Sequence, residues 1–152
     1  MKVIEHTITI DAPADKVWRV LIDTGQYQHW NPFITHVEGH LAAGNHLNVT
    51  IHPGKRTMTF QPTVLAAKEA ELIRWRGRLG VRGVFDGDHE LRLEHLDNGT
   101  TRFTQRETFS GVLVPFLRGV LDDTARGFEA MNVALRDRAT QQTQDSTETR
   151  PV

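Results

Sequence analysis

The sequence predicts an α+β fold, a curved antiparallel sheet of about six or seven strands around one long C-terminal helix, with two short helices after the first strand. Three observations carry this reading. From Val114 to about Ala139, the residues Leu117, Leu121, Thr124, Ala125, Phe128, Met131 and Leu135 recur at three- and four-residue steps, drawing one apolar stripe down a helix. Arg118, Asp122, Asp123, Arg126, Glu129, Arg136 and Asp137 fall mostly off that stripe. Most of the preceding chain alternates with period two and keeps one face apolar, the pattern of an antiparallel sheet covered on one side only. No second long helix offers itself as a partner, so the sheet must bury the stripe. At about 1.5 Å per residue the helix is about 37 Å long, enough to cross a small domain.

The elements follow in order. Val3 to Ile10 places Ile4, His6, Ile8 and Ile10 on one side and Glu5, Thr7 and Thr9 on the other, a half-buried strand. Asp11-Ala12-Pro13 ends it, and Pro13 suits the first turn of a helix, where its missing N–H is no loss. Val17, Trp18, Leu21 and Ile22 give that helix one apolar face, and Thr24-Gly25 breaks it. Gln26 to His29 predicts another helical turn before Trp30-Asn31-Pro32-Phe33, where Pro32 bars continuation. Strands follow at Ile34 to Leu41, at Leu47 to Ile51, and at Thr57 to Val64, the last with a bulge or edge at Pro62. Glu71 to Leu79 is the next. Phe85 to Leu96 and Thr101 to Gly111 form a hairpin through Asp97-Asn98-Gly99, the strongest turn signal in the chain. One domain, 1–139, is expected, with a disordered polar tail over 140–152.

Composition excludes several function classes. The chain has 152 residues, a formal net charge of −1 and no cysteine. Thiol nucleophiles, thiolate metal sites and disulfides are therefore absent. The charge gives no global reason to expect nucleic acid or an anionic membrane as partner. No stretch approaches the roughly 20 apolar residues of a membrane span, and Met1 to Ile10 lacks the apolar run of a signal peptide. A cytoplasmic protein without stable membrane insertion is expected. There is no HExxH pattern, and His36 and His40 share a strand face without a tied carboxylate, so no metal and no cofactor are expected. Gly77, Gly80 and Gly83 are not spaced as a dinucleotide fingerprint, and neither Ser110 nor Ser146 sits in a nucleophile elbow.

Four stretches carry a family resemblance: IDAPADKVWRVLID (Ile10 to Asp23), WNPF (Trp30 to Phe33), FDGDHELRLEHLDNGTTRFTQRETFSGVL (Phe85 to Leu113) and RGFEAMNVALRDRA (Arg126 to Ala139). Together they resemble the START/polyketide-cyclase superfamily, also called SRPBCC, over Val3 to about Ala139. The FDGDH and ETFSG stretches are similar to those of a subgroup of small bacterial proteins. The resemblance implies a helix-grip fold and a central cavity for an apolar or amphipathic small molecule. It implies no particular reaction, because the superfamily includes lipid carriers, hormone receptors, aromatases and cyclases.

Within that frame the hairpin is the most informative place. Phe85, Gly87, His89, Leu91 and Leu93 share one face of its first strand; Phe103, Gln105, Glu107 and Phe109 share one face of its second. The apolar company points both faces inward. His89, Gln105 and Glu107 are then polar groups on an apolar wall, and leaving each unpaired costs on the order of 1–3 kcal/mol. If Leu93 lies opposite Phe103, His89 falls opposite Glu107; one register step of two residues makes them diagonal neighbours instead. Such a pair can move protons, anchor a ligand's hydroxyl or carbonyl, or simply tie strands together. His89 and Glu107 are the catalytic candidates. Trp30, Phe33, Phe60, Trp75, Phe103, Phe109, Phe116 and Phe128 are the aromatic candidates for a cavity lining, with Trp30 and Phe33 at its mouth. Arg74, Arg76 and Arg78 alternate on the outward face with Glu90 and Glu94 and read as a solvated, salt-bridged surface.

The leading functional expectation is a carrier or sensor that binds a lipid-, polyketide- or aromatic-like small molecule between sheet and C-terminal helix. The alternative is a cofactor-free cyclase or dehydratase using Glu107 and His89 as acid and base. A third is a partner-binding protein without ligand.

Overall fold

The computed structural model describes residues 1–148, with side chains through residue 141. The chain runs β1 (Lys2–Ile10), α1 (Ala14–Ile22), a 3-10 turn (Thr24–Gln26), α2 (Tyr27–Trp30), β2 (Ile34–Glu38), β3 (Asn48–Ile51), β4 (Met58–Phe60), β5 (Thr63–Lys68), β6 (Leu72–Arg78), β7 (Asp86–His95), β8 (Thr101–Ser110), a second 3-10 turn (Val114–Phe116) and α3 (Arg118–Glu148). All strand pairs are antiparallel. This is the α+β architecture expected, a curved sheet holding one long helix.

Among the described residues the strands number eight rather than six or seven, and Pro62 is the reason. Lacking an N–H, it cannot join the ladder, so the run from Met58 to Val64 is cut into β4 and β5. The cut divides the sheet into β1-β8-β7-β6-β5 and β2-β3-β4. The two parts stay stitched beside the break. Leu47 N–H donates to the Pro62 carbonyl at 2.9 Å, and Val64 N–H to that of Asn45 at 2.8 Å.

The long helix also begins later than expected. Val114–Phe116 forms a separate 3-10 turn with Pro115 inside it, and α3 starts at Arg118. Its backbone continues past Ala139 to Glu148, while residues 149–152, the end of the expected tail, lie outside the described residues. Leu121, Phe128, Met131, Leu135 and Ala139 are buried, so the stripe packs as its spacing requires. Its main partners are β1 and α1.

Close approach of α3 to the segment after α2 rests on Gly127. A β-carbon there would lie 2.2 Å from Cδ1 of Phe33. Phe33 is held in that place by Asn31, whose Oδ1 accepts from the backbone N–H groups of Phe33 (3.0 Å) and Ile34 (2.8 Å). The Trp30-Asn31-Pro32-Phe33 stretch is thus a side-chain-capped turn that drives a ring under the helix.

A candidate ligand pocket between the two sheet halves

The turn Asp97-Asn98-Gly99 sets the register of β7 on β8. Gly99 takes φ +77°, and Asn98 Oδ1 accepts from the Thr100 hydroxyl at 2.6 Å. Leu93 consequently pairs with Phe103 and His89 with Glu107. One inward row then crosses the sheet as Trp75, His89, Glu107 and Ile4.

His89 Nδ1 and Glu107 Oε1 lie 3.0 Å apart, with the side chains 4 % and 13 % exposed. The imidazole stacks on Trp75 (centroids 5.1 Å, planes 16°) and meets Phe128 edge-on at 5.2 Å. Its Nε2 is buried with no hydrogen-bond partner among the described residues. His89 is therefore enclosed by Trp75 and by Phe128 of α3, and of the pair it is Glu107 that lines the open space.

That open space is a pocket of about 60 Å³, large enough for a few waters. Ile51, Met58, Thr59 and Phe60 of β3 and β4 form one side. Trp75, Gly77, Arg78 and Leu79 from β6 and its end form the floor, with Phe85, Gly87, Glu107 and Phe109 opposite. The floor is open because Gly77 pairs with Gly87 across the strands, so two side chains are missing side by side. The Glu107 carboxylate covers one gap, its Oε2 being 3.3 Å from where a β-carbon on Gly87 would stand. Phe109 stacks on Phe85 at 5.4 Å.

Two expectations need correction here. The pocket just described is not between sheet and long helix, where Phe33, Phe103, Phe128, Met131 and Leu135 pack, each at most 2 % exposed. The pocket lies instead between the two sheet halves, and its lining includes nothing from α3. The aromatic candidates accordingly part company. Phe60, Trp75 and Phe109 line the pocket together with Glu107, and His89 lies directly behind Glu107. Phe33, Phe103 and Phe128 are core. Trp30 packs edge-on against Tyr27 at 5.2 Å and is not in the pocket lining. Phe116, in the 3-10 turn before α3, is 80 % exposed and outside the pocket lining.

Gln105 is fully buried but serves the scaffold. Its amide donates to Asn132 Oδ1 of α3 at 3.0 Å, and Asn132 Nδ2 donates to the His6 carbonyl at 3.1 Å, tying helix, β8 and β1 together. Tyr27 is likewise structural. Burial, reinforced by the nearby Asp23 charge, pushes its phenol up, and its hydroxyl donates to the Leu21 carbonyl at 2.5 Å. Gly77, Gly87, Phe85, Met58 and Ile51 were not among the expected lining residues. Facing glycines on neighbouring strands are the sequence signal that bears on this site.

On the outward face Arg74 grips Asp88 bidentately, Nε to Oδ1 at 2.7 Å and Nη2 to Oδ2 at 2.6 Å, and Arg76 adds a 3.1 Å contact. The hydrogen bond from Arg74 holds the Asp88 carboxyl below its ordinary value, and the same bond raises Arg74. The arginines of β6 are thus answered chiefly by Asp88, with Glu90 4.0 Å from Arg74 and Glu94 bound to Arg102 instead. No group of three or more His, Asp or Glu suited to a metal occurs among the described residues, and none of their helices is long and apolar enough to cross a membrane.

Solved structures similar to this one share its fold. The Zhui aromatase/cyclase from Streptomyces sp. R1128 is 21 % identical, with 93 % of this chain and 95 % of that one covered and a TM-score of 0.77. A START superfamily protein from Mycobacterium smegmatis is 19 % identical over 92 % and 98 % of the two chains, TM-score 0.71. Norcoclaurine synthase from Thalictrum flavum is 18 % identical over 93 % and 96 %, TM-score 0.69. At these identities the likeness is one of fold. Among curated proteins, none matches the chain. The family described as polyketide cyclase / dehydrase and lipid transport matches residues 1–140, nearly the whole sequence, and the chain belongs to that family.

Proposed function

We propose that the protein binds an amphipathic small molecule in the pocket between the two sheet halves, as a carrier or sensor. The observation that carries this reading is the Glu107 carboxylate, fixed by His89 at 3.0 Å on a wall otherwise made by Trp75, Phe85, Phe109 and Phe60. A carboxylate only accepts hydrogen bonds, so the polar head it recognises is a donor, a hydroxyl above all. The aromatic rings take the apolar body.

The cyclase or dehydratase reading uses the same pair for proton transfer. It is favoured by the direct hydrogen bond between imidazole and carboxylate. It is weakened by the enclosure of His89, whose Nε2 meets neither solvent nor a partner, so only Glu107 touches a pocket occupant. Binding is therefore the better reading.

Naphthol and naphthalene test it as a pair of probes. The wild-type protein should bind naphthol more tightly, and Glu107→Gln should remove most of that preference, roughly a tenfold change for a charge-assisted bond. Naphthalene affinity should hardly move. A preference that survives the substitution, with stability lowered, makes the pair structural and sinks the proposal.

A further inference from the structure

Two loops at the pocket end of the molecule are laced together. Val112 N–H donates to the Gly83 carbonyl at 3.0 Å and Leu113 N–H to that of Val84 at 3.0 Å. Gly111, at φ +116°, lets the strands meet so closely that a β-carbon on it would lie 2.4 Å from the Val84 oxygen. The β6–β7 and β8–α3 connections therefore form one rigid tip.

That tip presents apolar side chains to solvent. Phe116 is 80 % exposed, Val81 72 % and Val112 69 %, with Leu79 at 43 % beside the pocket it helps to line. Elsewhere most large apolar residues are buried. The charged residues within the tip itself are all arginines, with Asp86 and Asp122 flanking it. Residues 78–85 and 111–118 contain Arg78, Arg82 and Arg118 and no carboxylate. Asp86, the next residue along, is turned to the Gly83 N–H at 3.0 Å and lies 4.0 Å from Arg78. Arg82 and Arg118 are exposed and have no ion pair among the described residues.

We propose that this tip is a peripheral docking site for an anionic bilayer surface. Its groups match the layering of such a surface, negative headgroups at the level of the arginines and hydrocarbon just below for Val81, Val112 and Phe116. The chain's net charge of −1 does not oppose this, because screening confines the relevant field to about 10 Å around the tip. The inference builds on the proposed ligand site only in that docking brings Leu79 and the pocket opening to the membrane, where an amphipathic molecule resides.

Flotation with vesicles tests the docking directly, with no pocket probe present, so it succeeds or fails independently of the naphthol comparison. Phosphatidylcholine vesicles containing phosphatidylglycerol should carry the protein up; pure phosphatidylcholine vesicles should not, and high salt should release it. Arg82→Glu and Arg118→Glu should each weaken partition about fivefold or more. Val81→Asp combined with Phe116→Asp should abolish it while thermal unfolding stays as in the wild type, since both side chains are already in water. Failure to float with anionic vesicles overturns the proposal, as does flotation unaffected by the paired aspartates. A change of solution mass on making those aspartates also overturns it, by assigning the tip to a second copy of the chain.

Discussion

The ring of Phe60 lies against the backbone of Gly77, where a β-carbon would stand 2.8 Å from Cδ2 and 3.0 Å from Cε2. Phe60 belongs to a three-residue strand next to the Pro62 break, so the ring that narrows the pocket sits on one of the shortest elements of the sheet. Phe60→Ala should raise naphthol affinity several-fold by clearing the floor over Gly77. Because the ring is only half-buried, the stability cost should be about 1–3 kcal/mol, below the 3–5 of a fully buried phenylalanine. Unchanged affinity in a folded variant would show that Phe60 does not obstruct the site.

Gly127 should respond against its type. A glycine replaced by alanine inside a helix usually gains about 1 kcal/mol. Here the new methyl meets Phe33 at 2.2 Å, a ring with 2 % exposure and no free direction to move. Gly127→Ala should therefore lower the unfolding temperature. Phe128→Ala, removing a fully buried ring that touches Phe33 and His89, should cost about 3–5 kcal/mol. Chemical denaturation of both variants checks the pair of signs.

Asp88 makes a pH prediction. Its folded-state carboxyl is held below the ordinary 3.8 by its hydrogen bond to Arg74, so the stabilisation is present above that value and is lost as pH falls through the depressed one. Asp88→Asn should destabilise the protein near neutrality by about 1 kcal/mol, a modest figure because solvent screens the partly exposed Arg74. The difference between variant and wild type should shrink on acidifying below about pH 4. A gap that is constant from neutral to strongly acid solution would assign the effect to something other than the ion pair.

The parts of the fold legible in the sequence are those governed by local periodicity and turn chemistry. Asn98-Gly99 marks the hairpin, and with alternation that puts His89 opposite or diagonal to Glu107, the direct pairing being the one found. The stripe from Leu121 to Ala139 is legible for the same reason. What was not legible depends on packing between distant segments. The position of the pocket depends on Gly127 admitting Phe33 beneath α3, which fills the space where a cavity was expected. Phe116 lies outside α3 because Pro115 favours a separate tight turn, although helical spacing extends smoothly through Val114 to Leu117. Gly77 and Gly87 act only as a pair across β6 and β7, and pairing across a sheet does not show in the spacing of either strand alone.

The modest size of the pocket has a kinetic consequence. A space of about 60 Å³ holds a few waters, so an occupant of ten or more heavy atoms needs more room, which Phe60 would give by swinging off Gly77. Where opening precedes occupancy, the observed association rate stops rising with concentration and levels off at the frequency of that swing. Capture would then be timed by how often the edge strand relaxes, and two ligands of unequal affinity would share one ceiling on their rate of capture while differing in how long they stay.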